Sequence, residues 1–490
     1  MANDFTYYAP TKVVFGKGAE THVGKLVKEQ NCKKVLIHYG GGSAKRSGLL
    51  DRITDSLEKE GIEYVSLGGV VPNPRLSLVY EGIELCKKEG VDFILAVGGG
   101  SVIDSSKAIG YGLANGGDVW DFYDRKRTPQ ACMPIGCVLT IAAAGSEMSN
   151  SSVITKEEGL IKRGCNSDVC RAKFAILNPE LTMTLPPYQT SSGCADIMMH
   201  TMERYFNQSE NMDITDSIAV GLMKIVKKHA VILMTEPDNY ESRAEVMWAS
   251  SLSHNGITGC GTDGGDWATH KMEHELGGMF DCAHGAGLAA IWASWARYVY
   301  KERVDRFAKF AVNVMGVEPQ ENDDATALKG IEAMEEFYHS INMPTSIKEL
   351  GIDVTEEEEK ENKIHTLDVL VFSGTGDDAV YQTQRRANET TLVPDIAVEA
   401  GSATIVVLAN SSIDPKAFVG KKLSQVLEYT HSLKDETLDR GLSMSSKVIE
   451  TNLTIDTHNI FGDANSFVGN HSPNVFITIE QPKLIRNIRV

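Results

Sequence analysis

The sequence predicts three regions of different structural class: an α/β domain, an all-α domain and a mainly β domain. In the first, short buried strands alternate with amphipathic helices, which indicates a parallel sheet with helices on its faces. From about residue 187 to about residue 350 the apolar spacing is helical, and no strand pattern interrupts it. Beyond a charged run at 353–361, strand patterns return at 367–372, 379–383, 403–409 and 474–479, and the alternation of Leu367, Val369 and Val371 predicts one buried face. We therefore place a linker at 356–366 and a β domain at 367–490.

The composition is that of a globular protein and argues against several classes of partner. The 490 residues are 42% hydrophobic and 23% charged, with a formal net charge of -18. Such an acidic chain suits neither nucleic acid nor an anionic membrane, and no apolar stretch reaches the length of a membrane span. The first residues show no signal peptide pattern, and the nine cysteines form no Cys-x-x-Cys pair. We therefore expect a cytoplasmic protein with reduced thiols.

The α/β region, 1–186, opens with a short strand that ends in a glycine turn and continues as alternating helices and strands. Clusters of β-branched and aromatic residues predict further strands at 35–39, 64–67, 93–97 and 173–177, with a strand–loop–strand unit over 134–154. Amphipathic spacing predicts helices at 19–31, 44–60 and 76–89.

Two glycine-rich turns each follow a predicted buried strand and open a helix. They read Gly40-Gly41-Gly42-Ser43 and Gly98-Gly99-Gly100-Ser101. Without side chains the backbone can approach a pyrophosphate, and the N-terminus of the following helix faces the anion. One such turn alone is more often an ordinary tight turn, but two turns at strands of one sheet predict a dinucleotide-binding domain. Their spacing differs from the Gly-x-Gly-x-x-Gly fingerprint.

The helical region, 187–355, carries acidic and histidine side chains at helical spacing. Asp196 and His200 are four residues apart, as are His270 and His274, so each pair shares one helix face. With His284 they offer one carboxylate and three imidazoles to a divalent metal that polarises a substrate oxygen. A single Asp-x-x-x-His pair is usually a solvated helix face. The apolar residues around these pairs predict instead a buried site, where a metal gives polar groups a partner.

These motifs resemble the iron-containing alcohol dehydrogenase family, with the butanol dehydrogenase branch the most similar. The resemblance runs from about residue 5 to about residue 355 and rests on the Asp/His set and on Pro72-Asn73-Pro74, Gly98 to Asp104, Gly117 to Tyr123 and Ala142 to Asn150. It implies an N-terminal dinucleotide-binding domain, a helical metal-binding domain and an active site in the cleft between them. It also implies a small alcohol or aldehyde as substrate, and a homodimer formed through the enzyme part.

The same resemblance implies roles for individual residues. The metal ligands, for Fe²⁺ or else Zn²⁺, are matched by Asp196, His200, His270 and His284. The pyrophosphate loop is matched by Gly98, Gly99, Gly100 and Ser101. Other positions near the cofactor are matched by Asn73, Asp104, Thr140 and Lys173. His274 matches a histidine beside the nicotinamide that is not a ligand, and it is the candidate catalytic residue as a proton relay to solvent.

The cofactor is expected to be NADP(H) rather than NAD(H). Many NAD-binding domains place an acidic residue after the strand, where it holds the ribose 2′-hydroxyl and repels a 2′-phosphate. The turn Gly40, Gly41, Gly42, Ser43 has no acid, and its backbone N–H groups, the Ser43 hydroxyl and Lys45 could take a phosphate instead. Analogy with the butanol branch favours the same choice. If the glycines form only a turn, NAD(H) stays open.

After Glu356 the sequence departs from that family, because the further helices that close the metal domain are absent. It resembles instead the β domain of Bacteroidales fimbrillins, the major fimbrial subunit proteins. This second resemblance rests on Leu367 to Gly374, Ile405 to Asn410, Gly441 to Ser445 and Val475 to Ile479. An enzyme followed by a fimbrial domain suggests a chimeric chain.

Two alternative functions remain open from the sequence. One is an adhesion or structural protein whose enzyme-like part is inactive. The other is a lyase such as a dehydroquinate synthase, which shares the fold and uses a related metal site. The intact ligand set and glycine turns favour an enzyme, and the spacing from His270 to His284, with His274 between them, favours the alcohol dehydrogenase pattern.

Overall fold

The computed structural model describes residues 3–209, 212–352, 367–374, 376, 378–387, 401–409, 422, 444–445 and 449–453. The chain divides into two compact units, Met1–Ile352 and Asp353–Val490. The predicted linker at 356–366 lies outside the described residues. Among the described helices, none is both long and apolar enough to cross a membrane.

The first unit begins with a six-stranded sheet and a separate hairpin. Its strands are β1 (Lys12–Phe15), β2 (Lys34–Gly40), β3 (Glu63–Val70), β4 (Phe93–Gly98), β5 (Ile135–Leu139), β6 (Ser151–Lys156), β7 (Ile161–Asn166) and β8 (Phe174–Leu177). The sheet order is β1-β8-β5-β4-β2-β3, and all neighbours are parallel. β4 and β5 are buried at every residue, as strands with helices on both faces are. The predicted parallel α/β sheet is therefore confirmed.

Six helices accompany this sheet. They are α1 (Val23–Lys28), α2 (Ser43–Arg46), α3 (Leu49–Lys59), α4 (Leu76–Glu89), α5 (Gly100–Asn115) and α6 (Trp120–Tyr123). The helix predicted at 76–89 has those bounds, whereas the one predicted at 19–31 is a 3₁₀ turn followed by the short α1. The helix predicted at 44–60 is divided in two because Gly48 adopts the left-handed region, with φ of 67°.

The hairpin β6–β7 contains a strand that the sequence did not predict. β6 belongs to the expected strand–loop–strand unit, but its antiparallel partner β7 reads Ile-Lys-Arg-Gly-Cys-Asn. Such a polar composition gives little strand signal on its own. The omission matters because β7 carries Lys162, which reaches the functional site.

The second half of this unit is helical, as predicted. Its helices are α7 (Pro187–Tyr205), α8 (Asp213–Thr235), α9 (Tyr240–His254), α10 (Ala268–Phe280), α11 (His284–Val299), α12 (Val304–Phe310) and α13 (Asp323–Ser340). A π-helical turn, Ala311–Met315, continues α12. Between 187 and 352 the described residues contain no strand. α7 is buried on nearly all sides and packs against α8, α9 and α11.

The described part of the second unit consists of antiparallel strands. They are β9 (Leu367–Ser373), β10 (Val380–Ala387), β11 (Gly401–Ala409), β12 (Met444–Ser445) and β13 (Ile449–Leu453). β9 lies between β10 and β11 in the sheet, and its consecutive residues Leu370, Val371 and Phe372 are all buried. Both faces of β9 are therefore covered, whereas the alternation of its apolar residues predicted one. The strand predicted at 474–479 lies outside the described residues.

Candidate functional site

Two glycines let other segments pack directly on α7. A Cβ at Gly285 would lie 1.9 Å from a backbone oxygen of α7, and a Cβ at Gly193 would lie 2.2 Å from a backbone oxygen of the loop after β5. Neither distance is possible for a real side chain, so any larger residue would force the segments apart. The first contact brings His284 at the start of α11 up to Asp196 on α7. The second holds the α/β domain against the same helix.

Three of the four side chains predicted as metal ligands converge on one point. Asp196, His270 and His284 each present a donor atom, and these atoms lie within 4.8 Å of one another. Nε2 of His270 lies 3.7 Å, and Nε2 of His284 3.8 Å, from Oδ1 of Asp196. His200 is outside that set of three, but its Nδ1 lies 3.2 Å from the same oxygen. The three histidines therefore surround Asp196 Oδ1.

The atoms at this point are buried and lack hydrogen-bond partners. Oδ1 of Asp196, Nδ1 of His200 and Nε2 of His270 are all in this state, which is costly for polar atoms. Ligands about 2.1 Å from an ion in tetrahedral geometry lie about 3.4 Å apart, close to the observed distances of 3.2 to 3.8 Å. The residues thus fit a divalent ion that takes oxygen and nitrogen ligands, such as Fe²⁺ or Zn²⁺.

Two buried glutamates, neither of them predicted from the sequence, bond to the sides of the histidine rings that face away from Asp196. Nδ1 of His270 donates to Glu203, and Nδ1 of His284 donates to Glu273. Burial lowers the pKa of His270, but the negative charges of Glu203 and Asp196 outweigh it and raise the pKa to about 10. The pKa is raised because the electrostatic potential at the ring is negative. The same negative potential favours binding of a cation.

A buried lysine completes this cluster. Nζ of Lys162 lies 3.0 Å from Oε2 of Glu273 and 3.4 Å from Nδ1 of His284, and only 4% of the lysine side chain is exposed. Burial raises the pKa of Glu273, but His284 and Lys162 outweigh it and hold the pKa well below its usual range. The glutamates follow His200 and His270 by three residues, a spacing that could have drawn attention to them. No sequence signal marks Lys162.

His274 lies one turn after His270 on α10, beside the convergent set. Its ring centre is 6.4 Å from that of His270 and 6.0 Å from that of His284. Burial lowers the pKa of His274 well below the usual value, and the charge of Lys162 is the second largest cause of this decrease. The imidazole is therefore neutral at physiological pH and can both donate and accept a hydrogen bond.

Aromatic rings that the sequence analysis missed enclose the other side of the site. The ring of His254 lies 4.0 Å from that of His200, and its Nδ1 donates to a carbonyl of the loop after β5 at 2.8 Å. The ring of Trp267 lies 5.4 Å from that of His270. The guanidinium of Arg204 lies 4.6 Å from the Trp267 ring, within cation–π distance. These groups shield the donor atoms from water on this side.

The two glycine turns lie side by side at one edge of the sheet. β2 and β4 are neighbours in register, so Gly40 to Ser43 and Gly98 to Ser101 follow at adjacent positions. α5 begins at Gly100, and its N-terminus therefore faces this edge. Thr140 directly follows β5, and its backbone N–H donates to the carbonyl of Gly98 at 3.0 Å. This is the carboxyl edge, where open parallel sheets bind ligands.

Two residues predicted to lie near the cofactor are bonded to the protein itself. Asp104 on α5 accepts from the Ser146 hydroxyl and, at 2.9 Å, from the backbone N–H of Val153. The side-chain amide of Asn73 donates to Asp281 at 3.0 Å, in the turn between α10 and α11. In this structure Asp104 therefore connects α5 to the loop after β5 and to β6, and Asn73 connects the loop after β3 to the turn between α10 and α11.

The structure corrects the prediction for Lys173. Its backbone bonds to the carbonyl of Ile135 and to the N–H of Lys12, which lie at the amino ends of β5 and β1. In a parallel sheet the amino ends lie at the edge opposite the glycine turns. The exposed Lys173 side chain is therefore on the wrong side of the sheet for the cofactor. The lysine that does approach the convergent set is Lys162.

Comparison with protein families gives three matches along the chain. Residues 10–179 match the model of iron-containing alcohol dehydrogenases, and residues 190–392 match the C-terminal model of the same family. Residues 344–478 match the model of the major fimbrial subunit protein. The last two matches overlap from residue 344 to 392. Within that overlap, the described residues after 366 form strands rather than helices.

Characterised relatives and solved structures cover the first unit. The NADH-dependent butanol dehydrogenase A of Clostridium acetobutylicum is 41% identical over 71% of this chain and 89% of its own length. The NADPH-dependent aldehyde reductase of Escherichia coli is 34% identical over 72% and 90%. The crystal structure of NADH-dependent butanol dehydrogenase A from Thermotoga maritima superposes with a TM-score of 0.71 at 41% identity, covering 73% of this chain and 89% of that one.

Proposed function

Because the chain belongs to the iron-containing alcohol dehydrogenase family, we propose that it transfers a hydride between NADP(H) and a primary alcohol or aldehyde such as butanol or butanal. The observation that carries this proposal is the cluster of buried, unpartnered donors on Asp196, His200 and His270, with His284 beside them. A lyase of related fold is disfavoured, because the relatives are named as alcohol dehydrogenases and aldehyde reductases.

The ion would be held by Asp196, His200, His270 and His284. When bound, a divalent ion supplies Lewis-acid polarisation of a substrate oxygen, which favours loss of hydride from the carbinol carbon or its addition to a carbonyl. The chain's own contribution is positioning. The wall of His254 and Trp267 keeps water from one side of the site, and low water content strengthens every electrostatic interaction there.

The cofactor's pyrophosphate would bind at Gly98 to Ser101, where backbone N–H groups and the N-terminus of α5 favour an anion. The neutral ring of His274 is then the group available to pass a proton between the substrate oxygen and solvent. Thr140, at the same edge of the sheet as this turn, would border the nicotinamide half of the cofactor.

The preference for NADP(H) rests on the turn after β2 alone. Gly40 to Ser43 contain no acid, and the next helix, α2, adds exposed Lys45 and Arg46. A 2′-phosphate would find cations and backbone N–H groups there, and no repelling carboxylate. Analogy with butanol dehydrogenases does not strengthen this choice, because the relatives of that name at 41% identity are described as NADH-dependent.

A substrate panel tests the proposal. Metal-free protein is loaded anaerobically with Fe²⁺ and assayed with butanal and other short aldehydes, with NADPH and with NADH. We expect turnover that requires the metal and a higher kcat/KM with NADPH. Asp196→Asn is the matched control, because it keeps the size of the side chain and removes the charge. Tight metal and nucleotide binding without turnover of any primary aldehyde or alcohol would contradict the proposal and favour an inactive, structural chain.

A further inference from the structure

The two buried glutamates behind the histidines connect three helices. Glu203 is on α7 and bonds to His270 on α10, accepting also the His270 backbone N–H at 3.0 Å. Glu273 is on α10 and bonds to His284 at the start of α11. Each carboxylate thus orients a histidine on another helix than its own. Both glutamates are completely buried, so neither bond competes with water.

These bonds determine which nitrogen of each ring faces the convergent point. A carboxylate can only accept hydrogen bonds, so Nδ1 of His270 and of His284 carries the proton. In the neutral ring, which is the form that binds a metal, the lone pair then lies on Nε2, and Nε2 is the atom of each ring that lies within 4 Å of Asp196 Oδ1. An outer carboxylate of this kind fixes the tautomer and increases the basicity of a histidine ligand.

The two glutamate–histidine pairs, Glu203 with His270 and Glu273 with His284, form two arms of the site that differ in their balance of charge. In the arm of His284, the buried ammonium of Lys162 lies within hydrogen-bond distance of both oxygens of Glu273. It also lies 3.4 Å from Nδ1 of His284. In the arm of His270, the neighbouring cation is Arg204, which donates instead to the carbonyls of His200 and Ser253. Of these two carboxylates, Glu273 is therefore the one to which a buried cation bonds directly.

We propose that Glu203 and Glu273 are positioning residues that hold His270 and His284 with Nε2 facing the metal, and that Glu273 has a second role. That second role is to neutralise Lys162, whose charge would otherwise repel a divalent ion through His284. This inference rests on the proposed metal site. It extends that site to three residues, Glu203, Glu273 and Lys162, that are not ligands.

Metal affinity of the full-length chain is the test, measured by competition of Zn²⁺ and Co²⁺ with a chelator. Removal of an outer carboxylate typically weakens metal binding about 10- to 100-fold, and we expect a loss in this range for Glu203→Gln. Glu273→Gln should lose more, because it also leaves Lys162 buried and unpaired. The double variant Glu273→Gln/Lys162→Met should recover at least about tenfold of that loss. The Co²⁺ absorption spectrum should shift in both glutamine variants, since ligand orientation changes.

Glu147→Gln is the matched control: Glu147 is equally buried, but it bonds to Ser251 and to no histidine. The Glu147→Gln variant should bind metal with the affinity of the wild type. Wild-type affinity and spectra in Glu203→Gln and Glu273→Gln would overturn the positioning role. No recovery in the double variant would overturn the role of Lys162. If Glu273→Gln fails to fold, Lys162→Met alone decides that role, because it should bind metal more tightly than the wild type. Absence of metal binding by the wild type would instead refute the proposed function itself.

Discussion

His38 should make the α/β domain sensitive to mild acid. The side chain is completely buried on β2, two residues before the glycine turn. Its Nδ1 lies 2.9 Å from the carbonyl of Leu67 and its Nε2 lies 2.9 Å from the Ser105 hydroxyl. A carbonyl can only accept, so Nδ1 donates and Nε2 accepts from Ser105. This arrangement suits the neutral ring. A proton on Nε2 would place a positive charge at a completely buried site and would require the Ser105 hydroxyl to accept instead of donate.

The size of the effect follows from the pKa. Burial lowers the pKa of His38 from 6.5 to about 4, although the bond to Leu67 works in the opposite direction. The folded pKa is below the unfolded one, so the unfolded chain binds more protons between these two values. The stability is therefore present above pH 6.5 and is lost as the pH falls toward 4. At pH 5 the loss amounts to about 2 kcal/mol.

Scanning calorimetry of the wild type and His38→Asn between pH 7.5 and 5 measures this contribution. For a unit of this size, about 2 kcal/mol corresponds to about 3 °C in Tm. Between pH 7.5 and pH 5 the Tm of the variant should therefore fall by about 3 °C less than the Tm of the wild type, whatever the variant's Tm at pH 7.5. His22→Gln is the control, because His22 is exposed and should leave the wild-type dependence unchanged. Parallel pH dependences of wild type and His38→Asn would refute the reasoning.

Three further outcomes follow from the site and the domain boundary. His270→Ala should lose most bound metal and nearly all turnover, whereas His274→Ala should keep the metal but turn over more slowly; full metal occupancy in the first would exclude His270 as a ligand. Gly40→Asp should shift the kcat/KM ratio toward NADH, because its carboxylate would repel a 2′-phosphate and a Cβ there meets nothing closer than 3.4 Å; an unchanged ratio would remove the turn from cofactor selection. Limited proteolysis should cut first between 353 and 366, and the 1–360 fragment should keep metal and NADPH binding; loss of both would place the tail within the enzyme.

The elements of the first unit could be predicted where burial imposes a period on the sequence. The helix at 76–89 and the strand at 93–97 follow directly from apolar spacing, because one helix face and both strand faces must be covered. β7 could not be predicted in this way, because its residues are mainly polar and show no apolar period. It forms a strand by pairing with β6, and its Lys162 is directed to the functional site. The alternation in β9 predicted only one buried face, because alternation along one strand does not show what covers its opposite face.

The site was predictable only in part, for a similar reason. The spacing of Asp196 with His200 and of His270 with His274 suggested ligands, because each pair lies on one helix. Glu203 and Glu273 act on histidines of other helices, so local spacing could not reveal their partners.

Lys173 shows a different kind of error. A residue that precedes a parallel strand lies at the amino edge of the sheet, and that rule alone could have excluded it from the cofactor site.

Transfer of deuterium tests the central claim most directly. Metal-free protein, with and without stoichiometric Fe²⁺, is incubated with butanal and with NADPH carrying two deuterium atoms at C4 of the nicotinamide, so that either face delivers the label. The butanol is analysed by mass spectrometry and NMR. Direct hydride transfer at the site of Asp196 and the histidines predicts one deuterium at C1 of butanol, only in the iron-loaded sample and not in His270→Ala. Butanol formed without the label, or labelled equally without metal, would contradict it.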